Sequence, residues 1–212
     1  MKRLLMPLIV CAFTFLLTGC GDKAPVQVME TPLIGRWSSE ELGGDFNFTS
    51  DGKFRLEVDI SSIMTIDADG VAQLTESDTD YSKCCSFDGK HFSFNIDGTD
   101  MLTMTALGDY QNNPFREYEM VSGVLYDQFA QAGDSADGKY YVSATPDKLT
   151  VLVNICDFVN DEDTVILSGS GLSSFTGDEN TANNEFTYNV TDSTLTLKND
   201  DETLVFSKIY RN

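Results

Sequence analysis

Oxygen-bearing side chains in the first third of the sequence come closest to a metal-binding pattern. In the order of a twelve-residue calcium loop, Asp67 and Asp69 take the third and fifth positions, Gly70 the sixth and Glu76 the last. Thr65 takes the first position, where such loops place a carboxylate, and no helical pattern flanks the segment. Because Asp-x-Asp-Gly is also an ordinary turn, we expect no metal here and keep Asp67, Asp69 and Glu76 only as weak calcium candidates.

A second acidic cluster lies later in the chain, between two predicted strands. It consists of Asp157, Asp161, Glu162 and Asp163. Such a group either holds a hard cation or keeps a surface loop hydrated. We expect the hydrated loop, because clustered carboxylates are mostly found at protein surfaces.

Nucleophilic catalysis has little support in this sequence. The single histidine, His91, lies in an alternating segment with no triad signature beside it, and no serine stands in a G-x-S-x-G motif. Pairing His91 with Cys84 or Cys85 is conceivable, but no motif supports it. The sequence also lacks a glycine-rich phosphate loop. We therefore expect a protein that is not an enzyme and has no catalytic cofactor.

The N-terminal segment has the pattern of an export signal that ends in a cysteine. Lys2 and Arg3 precede an almost continuous apolar run over residues 4–17, and Thr18-Gly19 leads directly to Cys20. The apolar run is shorter than the roughly 20 residues that a membrane-spanning helix needs. The segment resembles the signal peptide of bacterial lipoproteins, whose lipobox ends in a cysteine at this place.

That resemblance implies cleavage before Cys20, a diacylglycerol on its sulfur and an amino group open to further acylation. Two or more acyl chains hold a protein stably on a membrane, whereas one holds it weakly. The chain then divides into a signal peptide at 1–19, a lipidated cysteine and tether at 20–31, and a folded domain at 32–212. The expected location is the extracytoplasmic side of a membrane. In a host with two membranes, we expect the protein at the outer one. The residue after the lipidated cysteine is Gly21, whereas lipoproteins retained at the inner membrane commonly have an aspartate there.

Three cysteines remain for the folded domain: Cys84, Cys85 and Cys156. An exported protein reaches a compartment where disulfides persist, so one bridge from the Cys84–Cys85 pair to Cys156 is possible and would leave one thiol free. A bond between the adjacent cysteines would strain the backbone. With one histidine and no C-x-x-C spacing, these cysteines do not predict a metal site.

The charge balance excludes some partners. The chain has 14 basic and 34 acidic residues, a formal net charge of −20. Nucleic-acid binding needs clustered Lys and Arg, and an acidic surface is repelled by anionic lipid. We therefore expect no nucleic-acid partner and contact with the membrane only through the lipid.

From residue 32 onward the sequence predicts strands joined by turns that contain aspartate. Alternating apolar and polar residues on both sides of a short Asp-containing turn are the pattern of a β-hairpin. Four hairpins are predicted in this way, and 204–209 is the last strand; the hairpins lie at 46–58, 85–96, 140–153 and 186–197.

Helical signals are few in the folded domain. Residues 124–132 predict one or two helical turns with Leu125, Phe129 and Ala132 on one face, and the regions 107–117 and 168–184 have loop compositions. Many short strands with one buried and one wet face indicate an antiparallel barrel or sandwich. The predicted fold class is all-β, an antiparallel meander of hairpins with at most one short helix.

Both ends of this domain resemble lipocalin-like domains of bacterial lipoproteins. The opening Gly35-Arg36-Trp37, the hairpin from Phe46 to Phe54 and the closing hairpin at 192–209 carry the resemblance. It implies that Trp37 packs across the closed end of a barrel beneath a basic side chain from the last strand, which Lys208 or Arg211 supplies.

The residues themselves also predict a structural role for Trp37. It is the only tryptophan, and a single tryptophan at the start of a strand most often buries a large apolar area in the core. We expect a lipid-anchored binding module for a small apolar ligand or an envelope protein. The alternative is a structural or assembly lipoprotein without a ligand pocket. A small barrel can be hollow or filled, and the sequence does not distinguish the two.

Overall fold

The computed structural model describes residues 29–108, 113–133, 135–169 and 183–210. Within these residues the chain forms fifteen strands and one helix. They are β1 Gly35–Ser39, β2 Gly44–Phe48, β3 Lys53–Asp59, β4 Met64–Ile66, β5 Ala72–Leu74, β6 Cys85–Phe87, β7 His91–Ile96, β8 Thr99–Ala106, β9 Glu117–Ser122, α1 Val124–Ala132, β10 Tyr140–Ala144, β11 Leu149–Asp161, β12 Thr164–Ser168, β13 Asn183–Val190, β14 Thr194–Lys198 and β15 Thr203–Lys208.

Eight of the strands close into an antiparallel barrel. Around it the strands follow in the order β1, β2, β3, β11, β12, β13, β14 and β15, and β15 pairs back to β1. Each strand thus pairs with the next barrel strand along the chain, as in a simple meander. The predicted all-β fold is confirmed, and the barrel is consistent with a lipocalin-like one.

The chain leaves the barrel after β3 and returns at β11, so residues 60–148 form an insertion. Five of its strands extend the sheet beyond β11 in the order β10, β9, β8, β7 and β6. The β4–β5 hairpin forms a separate two-stranded sheet. Helix α1 lies against the extended sheet, with the rings of Tyr126 and Phe129 at 5.8 and 6.0 Å from that of Tyr140.

Strand β11 belongs to the barrel and to the extended sheet at the same time. Along one edge it pairs with β3. Along the other edge, residues 149–153 pair with β10 and residues 157–161 pair with β12. The register with β3 shifts between Asn154 and Cys156, a bulge of the kind that bends a strand. The two sheets therefore diverge at this point.

The predicted hairpins are all present. Phe48 pairs with Phe54, Phe87 with Phe92, and Val190 with Leu195. The predicted helix is confirmed at 124–132, although Ala132 is exposed and Tyr126 packs in its place. Beyond the predicted hairpin at 46–58 the strand does not continue: β3 ends at Asp59, and a turn precedes β4.

Candidate functional site

Aromatic side chains fill the interior of the barrel. Phe54 on β3 lies 6.4 Å from Phe206 on β15, between ring centroids, although two strands separate β3 from β15. Such a contact is made only across the interior. Phe48 on β2 meets its register partner Phe54 on the neighbouring strand at 4.5 Å and Phe158 on β11, one strand further on, at 5.1 Å.

The exposures of these rings show how completely the space is occupied. Trp37, Phe46, Phe48, Phe186 and Phe206 are 0% exposed, Phe158 is 1% exposed and Phe54 is 3% exposed. A void wide enough for a ligand would leave accessible area on the side chains around it. Around these seven side chains, the barrel is therefore packed.

Trp37 anchors one end of this core. Its Nε1 donates a hydrogen bond of 2.8 Å to the Leu33 carbonyl, and the Nζ of Lys208 lies 4.4 Å from the ring centroid. Trp37 and Lys208 are also register partners on β1 and β15. The predicted core role of Trp37 is confirmed, and Lys208 occupies the position expected of the basic residue. Arg211, the other residue considered for it, lies outside the described residues.

The calcium-like segment is a tight turn between β4 and β5. One oxygen of Asp67 accepts hydrogen bonds from the backbone N–H groups of Asp69 and Val71, both at 2.9 Å. Gly70 has a φ of 76°, and a Cβ there would lie 2.9 Å from Phe87. Glu76 lies beyond β5 and is exposed. In the described part of the chain, no group of three or more His, Cys, Asp or Glu side chains is placed to hold a metal.

The second acidic cluster spans the β11–β12 turn. Asp157 forms an ion pair with Lys53 at 2.5 Å, between Oδ1 and Nζ. Glu162 adopts a left-handed φ of 47° at the tip, and Asp161, Glu162 and Asp163 are exposed. These residues form a solvated hairpin turn.

His91 faces solvent at the start of β7. Its Nδ1 lies 3.0 Å from Oδ2 of Asp88, three residues earlier. Hydrogen bonds from the backbone and ring of His91 hold the pKa of the Asp88 carboxyl well below its usual range. This contact closes the β6–β7 turn, and neither Cys84 nor Cys85 is among the hydrogen-bond partners of His91.

The three cysteines of the domain are free thiols. Cys85 lies on β6 and Cys156 on β11, with four strands between them in the sheet. A disulfide needs Cα atoms within about 7 Å, so the bridge allowed by the sequence is not formed. Burial raises the pKa of the Cys156 thiol to about 12 and raises that of Cys85 above its usual value.

The predicted lipidation residue, Cys20, lies outside the described residues. The described chain begins at Met29, whose N–H donates to the Ser50 carbonyl at 2.9 Å and whose side chain packs against the core. The last residues of the predicted tether therefore already lie against the barrel. Among the described residues, no helix has the length and hydropathy to cross a membrane.

A polar cleft of about 360 Å³ lies on the outer surface, where the barrel continues into the insertion. Six strands contribute to it, and its lining includes Arg36, Arg55, Glu57, Ser143, Lys148 and Thr150. The outward-facing residues of these strands form rows across the sheet. One row is Arg36, Asn47, Arg55 and Asn154, and another is Asp59, Thr150, Ser143 and Glu117.

The floor of the polar cleft is the outer face of β11. Thr150, Leu152 and Asn154 point away from the barrel core, yet they are only 6%, 5% and 4% exposed. Longer side chains on β3 and β10 stand on either side of them, such as Glu57 and Tyr141 beside Leu152. The cleft is therefore a concave site with a deep floor.

On one wall of the cleft, Arg36, Glu57 and Asn47 form a hydrogen-bonded triplet. Arg36 forms an ion pair with Glu57, and its Nε donates to Oε2 at 2.6 Å. The second oxygen of Glu57 accepts a hydrogen bond from Asn47 at 3.2 Å. The carboxylate of Glu57 is only 7% exposed, so Arg36 and Asn47 offset the cost of burying its charge.

A second network holds Arg55 beside the floor. Its Nε donates to Asn154 Oδ1 at 2.8 Å, and Asn154 donates in turn to Asp137 at 2.7 Å. Burial acts to raise the pKa of Asp137, but hydrogen bonds from Asn154, Ser135 and Lys139 outweigh it and hold the pKa below its usual value. Asp137 therefore remains charged near neutral pH and fixes the orientation of Asn154.

Two hydroxyls in the polar cleft have no such partners. Within the described part of the chain, neither Thr150 nor Ser143 makes a side-chain hydrogen bond. The cleft contains hydrogen-bond donors and acceptors but no nucleophile paired with a base, so its arrangement suits binding. The cleft could not be predicted from the sequence because its rows join strands before, within and after the insertion. The only signal was the polar face of β3.

The protein is an antiparallel barrel filled with side chains, with an inserted sheet and a polar cleft on its outer surface. Comparison of the chain with protein-family models, with curated proteins and with solved structures finds no match. The residues and their geometry therefore carry the functional argument.

Proposed function

We propose that this protein is a lipid-anchored lipoprotein of the cell envelope that catalyses no reaction and binds a partner on its outer surface. The anchor would be the acylated Cys20, which would hold the protein to a membrane on its extracytoplasmic side. Where the host has an outer membrane, it would be that membrane. The observation that carries the proposal is the position of the polar cleft, whose deep floor lies on the outside of a barrel with a packed interior.

The path of the chain supports this arrangement. Met29 reaches the barrel at the turn before β3, whereas the insertion leaves after Asp59, at the other end of that strand. Eight residues lie between Cys20 and Met29, and the nine peptide links that join the two span at most about 30 Å. The anchored end of the barrel would therefore stay close to the membrane, and the insertion would start from the far end.

The packed interior bears on the two roles expected from the sequence. A small apolar ligand inside the barrel would have to displace rings that are at most 3% exposed. A structural or assembly lipoprotein without a ligand pocket needs no such space, and the packing favours that role over an apolar-ligand carrier. The polar cleft favours binding at the surface over a purely structural role.

Photo-crosslinking in intact membranes tests the proposal. A benzophenone amino acid replaces Glu117, an exposed residue that lines the polar cleft, or Thr196 on the outer face of β14 as the matched control. We expect one discrete crosslinked species from position 117 and none from position 196. Equal crosslinking from both positions, or none from either, would contradict binding at the cleft.

A further inference from the structure

Thr150 is the most unusual polar group of the polar cleft. It is 94% buried, lines the cleft floor, and its hydroxyl makes no hydrogen bond within the described residues. A buried hydroxyl without a partner costs free energy, and native proteins rarely leave one. A ligand group that both donates and accepts a hydrogen bond would satisfy it.

Four of the five charged residues that line the polar cleft are already paired; the fifth, Glu117, is exposed and forms no ion pair within the described residues. Glu57 is paired with Arg36 and Asn47, and Lys148 pairs with Asp59 at 3.2 Å. Arg55 is oriented by Asn154 and lies 3.7 Å from a carboxylate oxygen of Asp51. An anionic ligand would have to displace the carboxylates from these pairs and would be repelled by Glu117. A neutral ligand only adds hydrogen bonds to the free lone pairs and protons of the paired groups.

We infer that the polar cleft binds a short segment of a neutral oligosaccharide. Each sugar hydroxyl can donate one hydrogen bond and accept another, as the hydroxyls of Thr150 and Ser143 require. Two neighbouring sugar hydroxyls can bond side by side to the planar guanidinium of Arg55 or to the carboxylate of Glu57. Leu152 supplies an apolar patch in the floor. The cleft volume of about 360 Å³ lies at the lower end of the range for small-molecule sites, about 300–1,000 Å³.

This inference rests on the proposed function and names the ligand class of the same site. An array of neutral and acidic oligosaccharides, probed with the soluble domain from residue 24, tests it. We expect binding to neutral oligosaccharides that survives raised salt, because no net charge is exchanged. The neutral oligosaccharide that binds most tightly is then titrated into the wild-type protein and its variants by isothermal titration calorimetry.

Three variants test whether the oligosaccharide binds in the polar cleft. Thr150→Val keeps the shape and removes the hydroxyl, so affinity should fall about fivefold, the loss of one hydrogen bond. Ser143→Trp should abolish binding by filling the cleft, and Thr196→Val on β14 is the matched control with unchanged affinity. Circular dichroism checks that each variant is folded.

The possible outcomes separate clearly. Binding to acidic oligosaccharides alone, lost at raised salt, would overturn the inference in favour of an anion site. Binding to no sugar, or binding that Ser143→Trp leaves unchanged, would overturn it as well. In those cases, position-specific crosslinking from residue 117 would still support the proposed function with a different partner.

Discussion

Replacing Trp37 by alanine is expected to lower the free energy of unfolding by about 3–5 kcal/mol, as for other buried aromatics truncated to alanine. The side chain is 0% exposed, its Nε1 is bonded to Leu33, and Lys208 lies over its ring. Truncation would therefore leave a cavity at one end of the barrel, an unpaired Leu33 carbonyl and a lysine without its aromatic partner. Urea unfolding of the soluble domain, followed by circular dichroism, measures the loss.

Tyr210→Ala provides the matched control for that experiment. Tyr210 is also a large aromatic near one end of the barrel, but it is 62% exposed. Its truncation should cost about 1 kcal/mol or less, as is usual for surface positions. If the two variants were destabilised equally, or Trp37→Ala by less than about 1 kcal/mol, the core role of Trp37 would be wrong.

Replacing Cys20 by serine is expected to abolish acylation of the chain and with it the lipid anchor. A serine hydroxyl is not the thiol that the lipobox pattern supplies for acylation, so the mutant should stay unprocessed or become soluble. Without acyl chains, little else would hold the domain on a membrane, because its net charge repels anionic lipid. Detergent phase partitioning and the intact mass of the purified protein measure the change.

Cys84→Ser serves as the control for the anchoring experiment. It removes a half-buried thiol of the folded domain and should leave partitioning and mass otherwise unchanged. A Cys20→Ser protein that matures and partitions with membranes like the wild type would show that the chain is held in another way.

Local pattern was sufficient to predict much of the barrel. Strands β2 and β3 could be predicted because Phe46, Phe48 and Phe54 alternate with polar residues on either side of an Asp-Gly turn. The pairing of β3 with β11 could not, because residues 60–148 separate them and no local signal specifies so distant a partner. The extra sheet strands β8 and β9 lacked a clear turn between them and were missed.

The polar cleft was beyond prediction for the same physical reason. Thr150 and Leu152 lie in a nearly continuous buried run of β11, which resembles a strand that is buried on both faces. Their burial depends on Glu57 from β3 and Tyr141 from β10, which become neighbours only when the insertion folds back. Side chains on six strands create the site, so no single motif predicts it.

Quenching of Trp37 by a brominated fatty acid tests most directly whether the barrel interior is filled. As the only tryptophan, Trp37 reports on the barrel core, and bromine quenches it only in close contact. The packed interior predicts no saturable quenching when the fatty acid is titrated into the soluble domain below its aggregation concentration. Saturable quenching near one equivalent, reversed by an unbrominated fatty acid, would show a ligand inside the barrel and contradict the account.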